Sequence, residues 1–210
     1  MNMVLRWHGH SCFSLECDGK TLLIDPFDEG VGYDMPAVKP DIILESHQHH
    51  DHNAHDRFQP GYVLVNTPDS RNVYGFAITG HSVFHDDVQG KKRGKNIVFE
   101  VTTPDGFRVV HCGDLGHRLD SGMIEALKNP DVLLVPVGGV YTIDGGLARE
   151  LTRDLAPFCV IPMHFKTEDL TFELGKVEEF LAGDPFEQLD ELRLEEKADA
   201  GTRIVVLRYH

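Results

Sequence analysis

Residues 47–52 constrain this chain more than any other stretch. Ser46-His47-Gln48-His49-His50-Asp51-His52 carries the spacing H-x-H-x-D-H directly after the apolar run Ile42-Ile43-Leu44. Neutral imidazole nitrogens and carboxylate oxygens are the donors that bind Zn²⁺ and similar ions. A tight turn after a strand can point His47 and His49 at one ion and Asp51 and His52 at a second. The chain must therefore fold so that a buried strand ends at an ion-binding rim.

Three later residues fit the same rim. His85 follows a run of strand character at 73–79. Asp114 lies in His111-Cys112-Gly113-Asp114-Leu115-Gly116-His117, and His164 in Val160-Ile161-Pro162-Met163-His164-Phe165. Each terminates an apolar strand, so one sheet edge collects ligands from distant sequence. His81 competes with His85 for the same role, and the spacing leaves both open. His10, His50, His55, His111 and His117 are read as core or supporting histidines near the cluster, and Asp25 as a hydrogen-bond partner for a ligand histidine or its loop.

The wider pattern predicts an α/β (α+β) chain. Strands are expected at 3–7, 11–17, 20–25, 41–45, 62–66, 73–79, 96–101 and 107–111. Strand–helix alternation follows: helix 120–128, strand 131–137, helix 145–155, strand 158–162, helix 173–182, strand 203–208. A short helix is expected from Asn53 as N-cap. Residues 184–201 are acidic and read as an irregular solvated segment. Sheets packed together with helices outside follow from this order, and 210 residues suit a single domain over 1–210.

Charge narrows the partners. Twenty Lys and Arg against 34 Asp and Glu give a formal net charge of −14. That disfavours nucleic acid held on a general basic surface. The N-terminus lacks the apolar core of a signal peptide and no apolar run is long enough for a membrane span, so a cytoplasmic protein is expected. The four Cys (12, 17, 112 and 159) show no C-x-x-C spacing and read as reduced thiols. Oligomeric state is not legible. The basic loop Lys91-Lys92-Arg93-Gly94-Lys95 reads first as a solvated hairpin tip, and second as an attractor for an anionic substrate.

Taken in order, Gly9-His10-Ser11-Cys12-Phe13, Leu23-Ile24-Asp25-Pro26, the H-x-H-x-D-H set, Gly113-Asp114-Leu115-Gly116-His117, Pro136-Val137-Gly138-Gly139 and Pro162-Met163-His164 resemble the metallo-β-lactamase superfamily. Within it, they are similar to the small subgroup related to ascorbate-6-phosphate lactonase. The resemblance implies a four-layer αββα sandwich with a dimetal site at one edge of the sheets. It implies that His47, His49 and His85 hold one ion, that Asp51, His52 and His164 hold the other, and that Asp114 bridges them.

The function expected from this is metal-dependent hydrolysis of a small ester, lactone or phosphodiester by metal-activated hydroxide. The cofactor is two divalent ions, zinc first, with Mn²⁺ or Fe also admitted by the donor set. Asp51 is expected to orient the hydroxide, and His117 or Tyr141 to assist the leaving group. The alternatives are a compact nuclease or cyclic-nucleotide phosphodiesterase, and a non-catalytic metal-binding or sensing protein of the same fold.

Overall fold

The structure, a computed structural model, describes residues 2–197 and 201–209. Among the described residues, fourteen strands form two sheets. The first sheet opens with β1 (Met3–Trp7), β2 (Phe13–Cys17) and β3 (Lys20–Ile24), which pair antiparallel in turn. Asp18-Gly19, both with positive φ, turns the chain between β2 and β3. β4 (Ile42–Leu44) and β5 (Val63–Val65) then add in parallel.

The second sheet begins with β6 (Ser70–Val73), β7 (Phe76–Phe84), β8 (Lys95–Thr102) and β9 (Arg108–His111), an antiparallel meander. Three parallel strands continue it: β10 (Val132–Pro136), β11 (Cys159–Met163) and, late in the chain, β14 (Arg203–Leu207). The short strands β12 (Glu187–Leu189) and β13 (Leu192–Leu194) precede β14. The sheet orders are β13-β1-β2-β3-β4-β5 and β12-β14-β11-β10-β9-β8-β7-β6. This is the mixed α/β two-sheet fold expected from the sequence.

Strand alternation sorts the core. Leu22, Ile24, Ile42 and Leu44 face the second sheet in one large cluster with Phe99, Val109 and Leu134. Leu23 and Ile43, one residue out of phase, point the other way into a smaller cluster with Phe27, Val31, Tyr33 and Leu170. Helices α1 (Ser121–Leu127) and α2 (Gly145–Leu155) connect the parallel strands of the second sheet, and α2 buries Ala148, Leu151 and Leu155. Asp120 and Asp144 cap them by accepting from the Met123 and Leu147 amides, at 2.8 Å each. Over the first sheet, the smaller cluster is covered by loops and a 3₁₀ turn at Glu29–Val31.

Four expectations need correction. The strand read at 73–79 is two strands split by a turn at Tyr74-Gly75, both with positive φ, and β7 runs on to Phe84. β-prone residues at 73, 74 and 76 masked that turn. The helix read at 173–182 shrinks to α3 (Glu178–Leu181), because Gly175 is tied by its amide to the Gly138 carbonyl (2.7 Å) and by its carbonyl to the Lys166 amide (2.9 Å). The helix expected from Asn53 is a 3₁₀ turn, Ala54–Arg57, and the Asn53 side chain does not cap it. Residues 184–197 are not simply irregular: they supply β12 and β13, with Leu192 and Leu194 buried under β1. The reading of residues 198–200 lies outside the described residues.

Candidate metal centre

The cluster is assembled at strand ends. β4 runs out at Leu44 into Ser46 and His47, and β7 at Phe84 into His85. Asp114 lies beyond β9, and His164 follows β11 directly. Asp25, beyond β3, adopts φ 48°, and His164 φ 53°, so both side chains leave the sheet at a sharp bend.

Asp114 is the meeting point. Its Oδ2 lies 3.2 Å from Nε2 of His85, 3.2 Å from Nε2 of His164, 3.4 Å from Nε2 of His52 and 4.0 Å from Nε2 of His47. Two ligands of one tetrahedral zinc, each at about 2.0–2.1 Å, are separated by about 3.4 Å. Among the described residues, three groups have donor atoms within 4.8 Å of one another: His47 with His49 and His85, His47 with His52 and Asp114, and His10 with His52 and His164.

A hydrogen-bond network aims these nitrogens. Asp25 is fully buried and takes the Ser46 amide on Oδ1 (2.7 Å). Its Oδ2 takes the Ser46 hydroxyl (2.7 Å) and the His52 Nδ1–H (3.0 Å). Because the Ser46 proton points to Asp25, His47 Nδ1–H must donate to Ser46 Oγ, at 2.9 Å. The tautomer of His47 is thereby set, with the lone pair of Nε2 turned to the cluster. Asp114 is held by its amide, which donates to Asn96 Oδ1 (3.0 Å), while Asn96 Nδ2 donates to the Cys112 carbonyl (2.8 Å). His111 accepts from the Gly113 amide (3.0 Å) and donates to the Ser11 carbonyl (2.9 Å), anchoring the same turn.

Glycine makes the approach possible at two points. A Cβ on Gly116 would sit 2.3 Å from the His85 carbonyl carbon and 2.3 Å from the Asp86 nitrogen. A Cβ on Gly113 would sit 2.4 Å from Asn96 Oδ1. These two glycines bracket Asp114 and let its turn lie against the end of β7.

The electrostatics favour a bound cation. Burial raises the Asp114 carboxyl, but His164 and His52 overcome it and hold it well below the usual carboxylate range. Burial likewise opposes ionisation of Asp51, and the His52 charge and the His10 hydrogen bond again win. His52 is disfavoured as a cation by burial, yet Asp114 and Asp51 raise it well above the ordinary histidine value. His47 is pushed down to about 3 and His10 to about 4, in each case by burial first. Asp25, Asp51 and Asp114 thus surround a single raised imidazolium, and buried charge in excess is costly unless paired. Asp114 Oδ1, His47 Nε2 and His52 Nε2 are buried without a hydrogen-bond partner. Orphaned nitrogen and oxygen donors converging on one point fit a divalent ion.

Most of the residues singled out from sequence come together. His47, His52, His85, Asp114 and His164 are buried in one cluster; His49 is more exposed and Asp51 half-buried. His85, not His81, reaches Asp114: His81 Nε2 faces Glu100 Oε2 at 3.3 Å on the strand ladder. His117 departs from expectation. Its Nε2 accepts from the Phe84 amide (3.2 Å), its Nδ1 donates to the Arg118 carbonyl (2.7 Å), and it lines a separate small cavity. Both of its ring nitrogens are thus engaged with the backbone, outside the cavity that opens over the cluster.

A cavity of about 510 Å³ opens over the cluster. His49, Asp51, His85, Asp114 and His164 line it, and so do Tyr141, Arg93, Gln48, His50 and Phe172. Sequence reasoning read His10 as a core or supporting histidine without naming its partner. His10 turns out to hold Asp51 through Nε2 and Oδ2 at 3.2 Å. Ser46 and Asn96 were not singled out at all, since one buried serine or asparagine carries no pattern of its own.

The chain has relatives among known proteins. Residues 4–164 match the beta-lactamase superfamily domain family. A metal-dependent hydrolase of the UPF0173 family from Thermoplasma acidophilum is 32% identical over 195 residues, covering 80% of this chain and 86% of the relative. A crystal structure from Thermotoga maritima, assigned to the metallo-β-lactamase superfamily as a candidate zinc-dependent hydrolase, superposes with TM-score 0.84 at 40% identity. It covers 99% of this chain and 100% of the other. A metallo-hydrolase from Ignicoccus hospitalis shares the fold at TM-score 0.70 and 24% identity, over 94% of this chain and all of that one.

Proposed function

This chain belongs to the metallo-β-lactamase superfamily, in the UPF0173 family of metal-dependent hydrolases, and on that footing we propose that it is a dinuclear hydrolase of small esters, lactones or phosphodiesters. The observation that carries the proposal is Asp114 Oδ2 within 3.2–3.4 Å of three imidazole nitrogens, beside the orphaned Asp114 Oδ1. In this reading His47, His49 and His85 would hold one ion and Asp51, His52 and His164 a second, with Asp114 available to both. Zinc suits the nitrogen-rich donor set, and Mn²⁺ or Fe is also compatible with it. Bound ions of this kind lower the pKa of a coordinated water toward neutrality and stabilise negative charge on a carbonyl or phosphoryl oxygen.

The chain's own residues do the rest. His10 fixes the Asp51 carboxylate, which stays ionised and accepts a hydrogen bond from the attacking water, orienting its oxygen toward the electrophilic carbon or phosphorus. Asp25 and Ser46 keep His52 and His47 from turning, so the ligand nitrogens need no reorganisation. Tyr141 lines the same cavity and is 42% exposed, and this reading assigns its hydroxyl to the substrate's leaving oxygen. With His117 committed to the backbone, Tyr141 is the remaining proton donor of the two residues considered.

The test is metal content per chain by elemental analysis, with Asp114→Ala as control, followed by a panel of esters, lactones and phosphodiesters with the metal found. Close to two ions per chain, falling in the control, together with turnover, supports the dinuclear hydrolase. Little metal after supply of Zn²⁺ or Mn²⁺ overturns it. Full metal without turnover leaves a binding or sensing protein.

A further inference from the structure

Arg93 is the unusual side chain in the cavity. In a chain of net charge −14, its guanidinium pairs with no carboxylate among the described residues. Its contacts are one hydrogen bond from Nη2 to the Val140 carbonyl at 3.3 Å and a position over the Tyr141 ring, 5.4 Å from the centroid. Arg93 is half-buried and lines the cavity together with His85 and Asp114.

Its position is built, not incidental. The Asp86 carboxylate gathers the loop by accepting from the amides of Val88 (2.9 Å), Gly90 (2.8 Å), Lys92 (2.9 Å) and Arg93 (2.8 Å). Asp86 is itself almost fully buried. On another wall, Lys166 Nζ donates to the Leu170 and Phe172 carbonyls at 2.8 Å each, fixing the loop that carries Phe172. Two aromatic rings and one guanidinium without a carboxylate partner among the described residues therefore share a cavity whose size suits a small molecule.

Resting on the hydrolase reading of this same site, we propose that Arg93 recognises an oxyanion on the substrate, a carboxylate or phosphate distinct from the bond that is cleaved. The substrate class is accordingly an anionic small ester or lactone with an apolar body between Tyr141 and Phe172. The planar guanidinium offers a fork of donors matched to two oxygens; Nη2 gives one N–H to the Val140 carbonyl, and neither Nε nor Nη1 has a hydrogen bond among the described residues. The acidic surface otherwise repels such a ligand, so attraction must be local.

Calorimetric binding to the metal-loaded protein tests this without turnover. Phenylphosphonate and benzoate are the anionic probes and benzyl alcohol the neutral one, each against wild type, Arg93→Gln and Arg93→Lys. At least one anion should bind wild type more tightly than benzyl alcohol does. Arg93→Gln should weaken that anion about 10- to 100-fold and leave the alcohol unchanged. Arg93→Lys should restore part of the loss. Whichever anion loses more identifies phosphate or carboxylate as the source. Equal binding of the anions to wild type and Arg93→Gln overturns the proposal. So does equal weakening of anionic and neutral probes, which makes Arg93 only a clamp between its loop and Val140. Should the ester panel show no turnover while the anions still depend on Arg93, it is the hydrolase reading that fails and the anion site that stands.

Discussion

Asp25 Oδ2 accepts the His52 Nδ1–H at 3.0 Å, and the same oxygen takes the Ser46 hydroxyl at 2.7 Å. One buried carboxylate thus sets two ring orientations: His52 directly, and His47 through Ser46 Oγ. Asp25→Ala should reduce metal affinity about 10- to 100-fold, as loss of such a supporting partner does elsewhere. Asp25→Asn should lie between, since it keeps an acceptor and loses the charge. Competition with a chromogenic chelator reads the affinity. Unchanged affinity in Asp25→Ala would mean that packing alone holds the two rings.

Metal loading should release a proton at pH 7. Without metal, Asp114 and Asp51 outweigh burial and raise His52 well above the ordinary value of 6.5, so it carries a proton at neutrality. Coordination through Nε2 requires that nitrogen bare. Titrating metal in two buffers of different ionisation enthalpy measures the release as a difference in apparent heat. His47, held down to about 3, has no proton to lose at this pH. Identical heats in both buffers would mean His52 enters the reaction neutral.

Gly116→Ala should damage the site through the backbone. Its Cβ would lie 2.3 Å from both the His85 carbonyl carbon and the Asp86 nitrogen, and neither can move as a flexible side chain would. The expected cost is about 1–3 kcal/mol of stability by urea unfolding, with metal content reduced as His85 is pushed from Asp114. Gly122→Ala is the control. It lies in α1, where the nearest atom to an added Cβ is Asp120 Oδ1 at 3.3 Å. That variant should keep its metal and lose no stability.

Acid should weaken the second sheet through Glu100, well away from the metal cluster. The hydrogen bond from His81 lowers this carboxyl first, burial opposes, and Arg108 lowers it further. A depressed carboxylate adds stability that is complete above its ordinary value of 4.5 and disappears as pH falls through the lower folded value. Wild type should therefore exceed Glu100→Gln in urea midpoint at pH 7, and the two should converge toward pH 3. A constant gap across that range would show that the charge on Glu100 contributes nothing.

Much of this protein is local, and local features are legible in a sequence. The short apolar runs at 3–7, 11–17 and 20–25 mark strands, and the alternation Phe13-Ser14-Leu15-Glu16-Cys17 shows why, since alternate side chains of a strand face the core. Helix 145–155 is legible because Ala148, Leu151 and Leu155 recur at helical spacing. H-x-H-x-D-H announces an ion site because its donors are neighbours along the chain. His117, by contrast, looked equivalent to the other histidines. Only the end of β7 passing beside it, with the Phe84 amide on Nε2, turns it toward the backbone.

The amino-acid sequence by itself determined the strand-rich order, the metal-ligand types and their attachment to strand ends. The tertiary structure decided what those ends share. Asp25 and Ser46 lie 21 residues apart, and Asn96 and Asp114 lie 18 apart. Their bonds exist only because neighbouring strands end side by side. Arg93 sits on a loop that reads as solvent, and it faces the cavity because Asp86 folds that loop back on itself. Hydrogen bonds of a few ångströms between distant residues depend on register and packing, and those follow from the whole core, not from any one segment.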